Sequence, residues 1–348
     1  MLTLDFNLLK RLCSLFGPTG AESYVREEII KELEPYKAGF DSYTDTLGSY
    51  IVHIESQGAP KLLVSAHMDE VGFMVEHINE NGTLLFGPVG GFDPIILSSK
   101  RVVSENGQYG AIMSKAIHLQ SKEERERKPK ISELCIDINA ETKENALSLV
   151  EIGELFTFDS DYVEFGCDFI KSKALDDRLG CTIMIDVIKE IVSKSLKPAY
   201  DLYFAFSTRE EIGLSGAYAV AEQIHPDYAF IIESTAVGDI HASPDKKRVA
   251  VLGEGGALSF ADGGTIYDRD FVNHIIDVCK DCDIPYQMKK YVSGGNDSAN
   301  IQKSGFGTKV AVMSAPSRYI HSPSSVVHKN DLNSILNTLF ELIRRGIK

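Results

Sequence analysis

The chain has 348 residues, 43% hydrophobic and 25% charged, a balance typical of folded globular proteins that excludes collagen-like and disordered classes. Its 36 lysines and arginines against 50 aspartates and glutamates give a net charge of −14, which disfavours nucleic acid and anionic membranes as partners. The length predicts roughly two domains. The amino terminus lacks a signal-peptide pattern, no apolar run is long enough to cross a membrane, and the six cysteines are dispersed. We therefore expect a cytoplasmic protein without a disulfide framework.

The amino-terminal part of the chain predicts two helices followed by a buried strand. The periodicity of 8–16 predicts a helix that ends at a Gly-Pro-Thr-Gly turn. Thr19 and Glu22 then have the spacing of a capping box for the second helix. The almost wholly apolar run at 61–66 predicts a strand that is buried on both faces.

A β-rich segment extends from 71 to 163, where short strand-like runs alternate with Asn-Gly and Gly-Gly turns. We interpret the charged run at 122–130 as a solvated loop and expect a short helix near 141–150. Because strands and helices alternate before and after this segment, we interpret it as an insertion into another domain.

The last part of the chain alternates buried strands with helices, which predicts an α/β sheet with helices on both faces. The predicted helices are 176–193, 213–223, 267–282 and a terminal helix from 331. The predicted strands are 202–207, 228–232 and 309–313, with a glycine-rich strand pair near 248–260.

Cys279 and Cys282 form a single Cys-x-x-Cys spacing within an amphipathic helical pattern. Both fall on the inner face of that pattern, and no second cysteine pair stands beside them. We therefore predict buried thiols rather than a zinc or redox site.

Polar residues follow several of the predicted strands, at the edge where open α/β sheets bind ligands. They are His67 and Asp69 after 61–66, Glu210 and Glu211 after 202–207, Glu233 after 228–232, and His321 beyond 309–313. Asp176 and Asp177 stand at a helix start, where they could cap the helix or face a metal. Imidazole and carboxylate are ligands that zinc accepts at catalytic sites, and two histidines with three or four carboxylates fit two ions better than one.

The spacing within these pairs suggests a division of roles. In His67-x-Asp69 both side chains leave the same side of an extended segment, so Asp69 can accept the second imidazole N–H. The adjacent side chains of Glu210 and Glu211 point to different sides, which suits one metal ligand and one base. Taken singly, each of these residues also fits a purely structural role.

Taken together and in this order, the motifs resemble those of the glutamyl and deblocking aminopeptidases. This family includes the large tetrahedral-particle aminopeptidases and belongs to the co-catalytic zinc exopeptidases. The matching segments are 66–75 (AHMDEVGFMV), 173–181 (KALDDRLGC), 207–217 (STREEIGLSGA) and 316–323 (PSRYIHSP), with weaker matches at 116–119 and 294–297. The resemblance spans essentially the whole chain.

The resemblance implies a role for each matching residue. It implies that Asp176 bridges two metal ions and that Glu210 is the catalytic base. The other implied metal ligands are His67, Glu211, Glu233 and His321. Glu233 and Asn296 depart from the family pattern, which usually has aspartate and threonine there. We place Asp69 and Asp177 behind the ligands, and we expect Asp297 and Arg318 to contact substrate.

The implied fold is α/β, with a phosphorylase/hydrolase-like three-layer α/β/α catalytic domain and an inserted β-rich dimerisation domain. We assign 1–70 and 164–348 to the discontinuous catalytic domain and 71–163 to the dimerisation domain. The resemblance also implies a cis peptide bond after Asp176, an arrangement that non-proline residues adopt only rarely.

The implied activity is hydrolysis of amino-terminal residues from peptides, through a metal-bridging water that Glu210 activates. The implied cofactors are two divalent ions per subunit, with zinc expected first and cobalt or manganese also compatible with these ligands. The implied partners are peptides with free amino termini and further copies of the chain, up to a dodecamer built from dimers.

Three other functions were weighed against this one. A metal-dependent deacylase or dipeptidase would use the same site chemistry on another substrate. A glycoside hydrolase would need two carboxyl groups flanking a sugar bond, which adjacent glutamates are badly placed to do, and it would leave both histidines without a role. A catalytically silent assembly protein would need no base, so the presence of Glu210 argues against it.

Overall fold

The computed structural model describes residues 1–240 and 248–347. The helices are α1 Phe6–Ser14, α2 Ser23–Leu33, α3 Lys122–Glu126, α4 Lys143–Leu147, α5 Leu175–Ser193, α6 Ser215–Ile224, α7 Arg269–Asp281, α8 Ser298–Ile301 and α9 Lys329–Arg345. The strands are β1 Asp41–Thr44, β2 Tyr50–Ile54, β3 Lys61–His67, β4 Gly72–Ile78, β5 Leu84–Val89, β6 Arg101–Ser104, β7 Tyr109–Met113, β8 Cys135–Asp137, β9 Leu155–Phe158, β10 Val163–Phe165, β11 Phe169–Ser172, β12 Asp201–Ser207, β13 Tyr228–Ala236, β14 Gly256–Leu258, β15 Tyr286–Met288, β16 Lys309–Ser317 and β17 Ser325–His328. Within these residues, no helix combines the length and the apolar character needed to cross a membrane.

An eight-stranded sheet forms the centre of the molecule, in the order β1-β2-β12-β3-β13-β16-β14-β15. Its four middle strands, β12, β3, β13 and β16, run parallel, so their carboxyl ends meet at one edge. The register places Ser207 beside His67, and Glu233 beside Ser314. Helix α5 packs on β3 and β13 together with α1 and α9, while α6 and α8 pack on each other and on neighbouring strands. The predicted α/β class is confirmed.

A closed barrel lies between β3 and α5 in the chain, with the strand order β4-β5-β8-β7-β6-β9. Its own core contains the fully buried rings of Phe73, Phe156 and Phe158, which pack edge to face where Phe73 meets Phe158. The separate core explains why the residue pattern changes so clearly in this part of the sequence. The division into a catalytic and a dimerisation domain stays a prediction.

Several local predictions differ from the structure. The charged run at 122–130 is exposed as expected, but it begins with the short helix α3, because Ser121 and Glu124 form a capping box. Around 248–260, the described residues contain the single strand β14 rather than a strand pair. Cys279 is buried on α7, whereas Cys282 at the end of that helix is only partly buried.

Thr19 does not cap α2, although its spacing to Glu22 suggested that it would. Glu22 precedes the helix without a side-chain capping bond, and its carboxylate accepts the Gly20 N–H at 3.0 Å. The Thr19 hydroxyl instead donates to Asp69 at 2.7 Å, fifty positions along the chain. Local spacing assigned the Thr19 oxygen as an acceptor for the helix, whereas in the structure the hydroxyl is oriented by donation to a distant carboxylate.

Buried charges join the barrel to the sheet domain below the carboxyl edge. Lys173 Nζ donates to Glu70 Oε1 at 2.6 Å and to the Leu15 carbonyl at 2.9 Å. The guanidinium of Arg178 lies 3.6 Å from the same Glu70 oxygen, and the Thr157 hydroxyl of the barrel donates to the other at 2.8 Å. Because all these side chains are buried, each charge depends on its partners for the stabilisation that water would otherwise provide.

Replacing Lys173 by methionine should therefore destabilise the protein strongly. The variant leaves the Glu70 carboxylate buried without its closest cation, a loss that costs about 3–5 kcal/mol in buried pairs. Lys128→Met is the matched control, because Lys128 pairs with Asp93 at 2.8 Å while both side chains are largely exposed. That change should cost less than about 1 kcal/mol. Urea unfolding of both variants measures the difference, and equal losses would contradict the assignment.

Candidate metal centre and its cavity

Asp176 lies between two imidazole rings at the carboxyl edge of the parallel strands. Its Oδ1 is 3.3 Å from His67 Nε2, and its Oδ2 is 3.3 Å from His321 Nε2. Strand β3 ends at His67, and Asp176 stands in the first turn of α5, where the backbone is still non-helical. The peptide bond between Asp176 and Asp177 is cis, as the resemblance implied.

Two carboxylates complete a pair of clusters that share Asp176. Glu233 Oε1 lies 3.7 Å from His67 Nε2, and Glu211 Oε1 lies 3.4 Å from His321 Nε2. In each cluster of one histidine and two carboxylates, one ligand atom per residue lies within 4.8 Å of the others. Each cluster could hold a metal ion, since imidazole nitrogen and carboxylate oxygen are ligands of divalent transition metals.

Backbone carbonyls orient both imidazoles. His67 Nδ1 lies 3.0 Å from the carbonyl oxygen of Asp69, and His321 Nδ1 lies 2.9 Å from that of Gly91. A carbonyl can only accept, so each Nδ1 carries a proton, and Nε2 is the nitrogen through which either ring could bind a metal ion in its neutral form. Gly91 follows β5 of the barrel, so the barrel segment contributes directly to the orientation of His321.

The Asp69 carboxylate connects the loop that carries Glu210 and Glu211 to the first histidine. It accepts the Thr19 hydroxyl at 2.7 Å and the backbone N–H groups of Glu210 and Glu211 at 3.1 and 3.2 Å. It also lies 3.4 Å from His67 Nδ1. Asp69 is fully buried, so these donors replace the water that its charge would otherwise require.

Asp177 lies behind the cluster on the other side. Its carboxylate accepts the N–H of His67 at 3.3 Å and that of Gly180 at 3.2 Å. A Cβ at Gly180 would lie 2.5 Å from the nearer Asp177 oxygen, so only glycine allows this close approach. The two aspartates expected behind the ligands therefore both fix backbone groups around His67.

The cluster holds more negative charge than its two histidines can neutralise. Burial raises the pKa of Glu210 and Glu233 well above the usual range, and Asp176 raises that of Glu233 further. Burial acts to raise the pKa of Asp176 as well, but hydrogen bonds from His321 and His67 outweigh it and hold that pKa well below the usual range. Burial lowers the pKa of His321, whereas Asp176 and Glu211 raise it to about 9. Divalent cations would offset this excess, so the donor set fits metal binding.

A cavity of about 360 Å³ opens beside the cluster. Its lining includes Asp176, Glu210, Glu233 and His321. The remaining lining residues are mostly small or polar, and they include Ser234, Asp262, Lys289, Gly294 and Asn296. A group bound in the cavity would therefore lie next to the candidate metal ligands and Glu210.

Six of the predicted site residues come together here: His67, Asp176, Glu210, Glu211, Glu233 and His321. The two expected substrate contacts are placed differently. Asp297 is 2% exposed, accepts the Ser207 hydroxyl at 2.9 Å and is not among the residues that line the cavity. Arg318 forms a bidentate pair with Asp239 at 2.7 and 2.8 Å, so its guanidinium is already engaged.

Sequence reasoning did not identify three residues that shape the site. Lys289 and Asp262 line the cavity from parts of the chain where no motif marks them, and the Gly91 carbonyl orients His321. A pair of adjacent lysines, a single aspartate and a Gly-Gly turn are common in any sequence. The available signal for Gly91 is the Gly90-Gly91 turn, a pattern that by itself indicates only the boundary of a strand.

Comparison with known proteins agrees with the resemblance. The family model described as M42 glutamyl aminopeptidase matches residues 48–337. A putative aminopeptidase of Acetivibrio thermocellus is 34% identical to this chain over 97% of it and 98% of the relative. Glutamyl aminopeptidase of Lactococcus lactis is 26% identical, covering 94% of this chain and 92% of the relative. Lysyl aminopeptidase of Pyrococcus furiosus is 28% identical, with 96% and 95% covered.

Solved structures show the same similarity. A TET aminopeptidase from a marine sediment thaumarchaeon matches with a TM-score of 0.94 and 29% identity, covering 98% of this chain and 96% of the other. A TET peptidase of Pyrococcus horikoshii, described as assembling into a tetrahedron or a large octahedral shell, matches with a TM-score of 0.87 and 32% identity. The match covers 98% of this chain and 99% of the other.

Asp69→Asn should weaken metal binding without unfolding the protein. The asparagine amide presents an N–H group where Asp69 now accepts hydrogen bonds. The loop that carries Glu211 and the ring of His67 would then both lose a contact that holds them in position. Loss of such supporting groups typically costs 10–100-fold in metal affinity. Calorimetric titration of chelator-stripped protein with zinc measures the change. Asp201→Asn is the control, since Asp201 pairs with His53 away from the cluster; equal affinity loss in both variants would refute the role of Asp69.

Proposed function

The chain belongs to the M42 glutamyl aminopeptidase family, and on that premise we propose that it is a metal-dependent aminopeptidase that removes amino-terminal residues from peptides. The observation that carries the proposal is the pair of histidine and carboxylate clusters sharing Asp176, with Glu210 beside them at the cavity. Hydrolysis of an amide needs a polarised carbonyl, an activated water and a group that moves protons, and this set of side chains supports all three.

We assign the two clusters to two divalent ions, with zinc expected first and cobalt or manganese also compatible. One ion would be held by His67, Asp176 and Glu233, and the other by Asp176, Glu211 and His321. Such ions polarise a carbonyl oxygen and lower the pKa of a water molecule toward neutrality. The longer side chain of Glu233, where the family usually has aspartate, still brings Oε1 to 3.7 Å from His67 Nε2.

Glu210 is the proposed proton carrier. It takes a proton from the attacking water and returns it to the leaving amine, which are the two transfers that amide hydrolysis requires. The backbone bond from Glu210 N–H to Asp69 keeps the side chain at the cavity wall. Excess negative charge around Asp176 also attracts the cationic α-amino group of a peptide, which favours cleavage at the amino terminus.

Glu210→Gln should lower kcat by about a hundredfold to ten-thousandfold while metal content stays unchanged, because the amide cannot accept the proton. Glu211→Gln is the informative comparison, since Glu211 is assigned as a ligand and its loss should reduce the metal bound after dialysis. Hydrolysis of aminoacyl-nitroanilides and elemental analysis of the dialysed variants measure both effects. Full activity in metal-loaded Glu210→Gln would show that another group is the base.

Removing and restoring the metal tests the reaction class. Chelator-stripped protein should be inactive, and zinc, cobalt or manganese should restore release from substrates with a free α-amine but not from amino-blocked controls. Cleavage of dipeptides alone, or of acylated amines, would instead indicate a dipeptidase or a deacylase. Turnover that survives complete removal of metal would exclude the proposal.

We also propose that the chain forms a homo-oligomer, as the Pyrococcus horikoshii relative is described to do. Support comes from large apolar side chains exposed on and around the barrel: Tyr109, Ile117, Leu119 and Ile152. Apolar area of this kind is often covered by association. Native mass spectrometry should detect a multiple of a dimer, up to a dodecamer, and a monomer at micromolar concentration would contradict it.

A further inference from the structure

The two candidate histidine ligands are held in the fold in different ways. His67 ends strand β3, and its side chain is 2% exposed. His321 lies on the turn between β16 and β17, and its side chain is 32% exposed. The hydrogen bond from its Nδ1 to the Gly91 carbonyl orients the ring but does not hold the backbone that carries it. The position of His321 therefore depends on the conformation of that turn.

The turn has a backbone conformation that residues with a side chain rarely adopt. Tyr319 has a φ of 56° and His321 a φ of 57°, both in the left-handed region. A Cβ atom is disfavoured in this region, so such residues persist only where the surrounding structure holds them. The turn that carries His321 therefore needs contacts that fix both of its ends.

Arg318 closes the turn at its base. Its backbone N–H donates to the Val326 carbonyl at 2.9 Å, and the Val326 N–H donates to the Arg318 carbonyl at 3.0 Å. These reciprocal bonds join the two ends of the segment that carries His321. Val326 belongs to β17, which pairs with β11, so one end of the turn is fixed by that small sheet. The other end begins at Arg318, the first residue after β16.

The Arg318 guanidinium fixes that other end. Its N–H groups donate to the two carboxylate oxygens of Asp239 at 2.7 and 2.8 Å. Asp239 lies three residues beyond β13, the strand that pairs with β16, and its side chain is only 4% exposed. The guanidinium carbon also lies 5.4 Å from the centre of the Phe169 ring on β11, within the range of a cation–π contact. A bidentate pair of this kind restricts the arginine side chain to one orientation.

Neither partner of this pair lines the cavity. Among the described residues, the lining includes Ile320 and His321 but neither Arg318 nor Asp239. Because Arg318 precedes His321 by three residues, it can act on that ligand through the turn without touching a group bound in the cavity. The expected contact with substrate would place the guanidinium at a ligand instead. The two roles therefore differ in whether Asp239 matters.

We propose that Arg318 is a positioning residue, which together with Asp239 holds the turn so that His321 can bind a metal ion. The inference rests on the proposed metal-dependent function and goes beyond it by assigning a part to these two residues. It concerns only the cluster that includes His321, because the histidine and the glutamate of the other cluster stand on the regular strands β3 and β13. Loss of the ion pair should therefore weaken one metal site and leave the other unchanged.

Titration of chelator-stripped protein with cobalt, followed by the visible absorption of the bound ion, tests the inference. Arg318→Met should weaken the binding of one ion about 10–100-fold, the range typical for loss of a group that supports a ligand, and leave the other ion at wild-type affinity. Asp239→Asn should have the same effect, because its amide can accept only one of the two guanidinium donors. Arg127→Met is the matched control, since Arg127 forms a similar bidentate pair with Glu133 on the exposed surface of the barrel segment. Both of its cobalt affinities should equal those of the wild type.

A double variant shows whether Arg318 acts through His321. His321→Ala should itself weaken the binding of one ion, and Arg318→Met added to it should leave the affinity for the other ion unchanged. A further loss in the double variant, or equal weakening of both ions by Arg318→Met and by Asp239→Asn, would overturn the inference.

The kinetic constants separate this role from contact with substrate. If Arg318→Met raises KM while cobalt binding stays at the wild-type level, and Asp239→Asn changes neither, Arg318 contacts substrate and the inference is wrong. A metal-loaded wild type that cleaves no aminoacyl substrate would reject the proposed function, whereas the cobalt affinities of the variants would still decide the role of Arg318.

Discussion

The arrangement of the site depends on one buried carboxylate, that of Asp69. It has no access to water, and its charge is stabilised by the Thr19 hydroxyl and by two consecutive backbone N–H groups, those of Glu210 and Glu211. The same side chain lies 3.4 Å from the ring of His67. One group therefore sets the relative positions of a candidate base and two candidate ligands that come from separate strands. None of the three can move alone without leaving a charged oxygen short of donors.

The topology explains why so few residues suffice to build the site. The parallel strands β12, β3 and β13 end at the same edge, so side chains that are distant in sequence meet without a long loop. Asp176 then joins the two imidazoles because α5 begins directly below that edge. Burial excludes the water that would otherwise screen the carboxylates, which makes the cluster strongly attractive to cations and unfavourable without them.

The sequence predicted the parts of the site that follow regular patterns. His67, Glu233 and His321, which the structure brings into the two clusters, were marked because each follows a recognisable buried strand, and His321 also lies in a matching motif. That Arg318 contacts substrate stays a prediction; no local pattern shows that its charge is already paired with Asp239, about eighty residues away. Asp297 accepts the Ser207 hydroxyl through Oδ2, whereas its buried Oδ1 has no hydrogen-bond partner among the described residues. Lys289 carries no sequence signal because its place in the lining depends on the cavity, which only tertiary packing forms.

The hydrogen bond from His321 to the Gly91 carbonyl has a consequence for how such a chain can evolve or be engineered. Because the barrel has its own core, packing alone would allow it to be exchanged for the barrel of a relative. A replacement barrel would also have to place a carbonyl oxygen within hydrogen-bond distance of His321 Nδ1. It would further need a donor for the Glu70 carboxylate, in place of the Thr157 hydroxyl. Recombination between distant relatives is therefore constrained where the barrel contacts the sheet domain rather than in the barrel interior. Loop lengths there should vary less than anywhere else on the barrel surface.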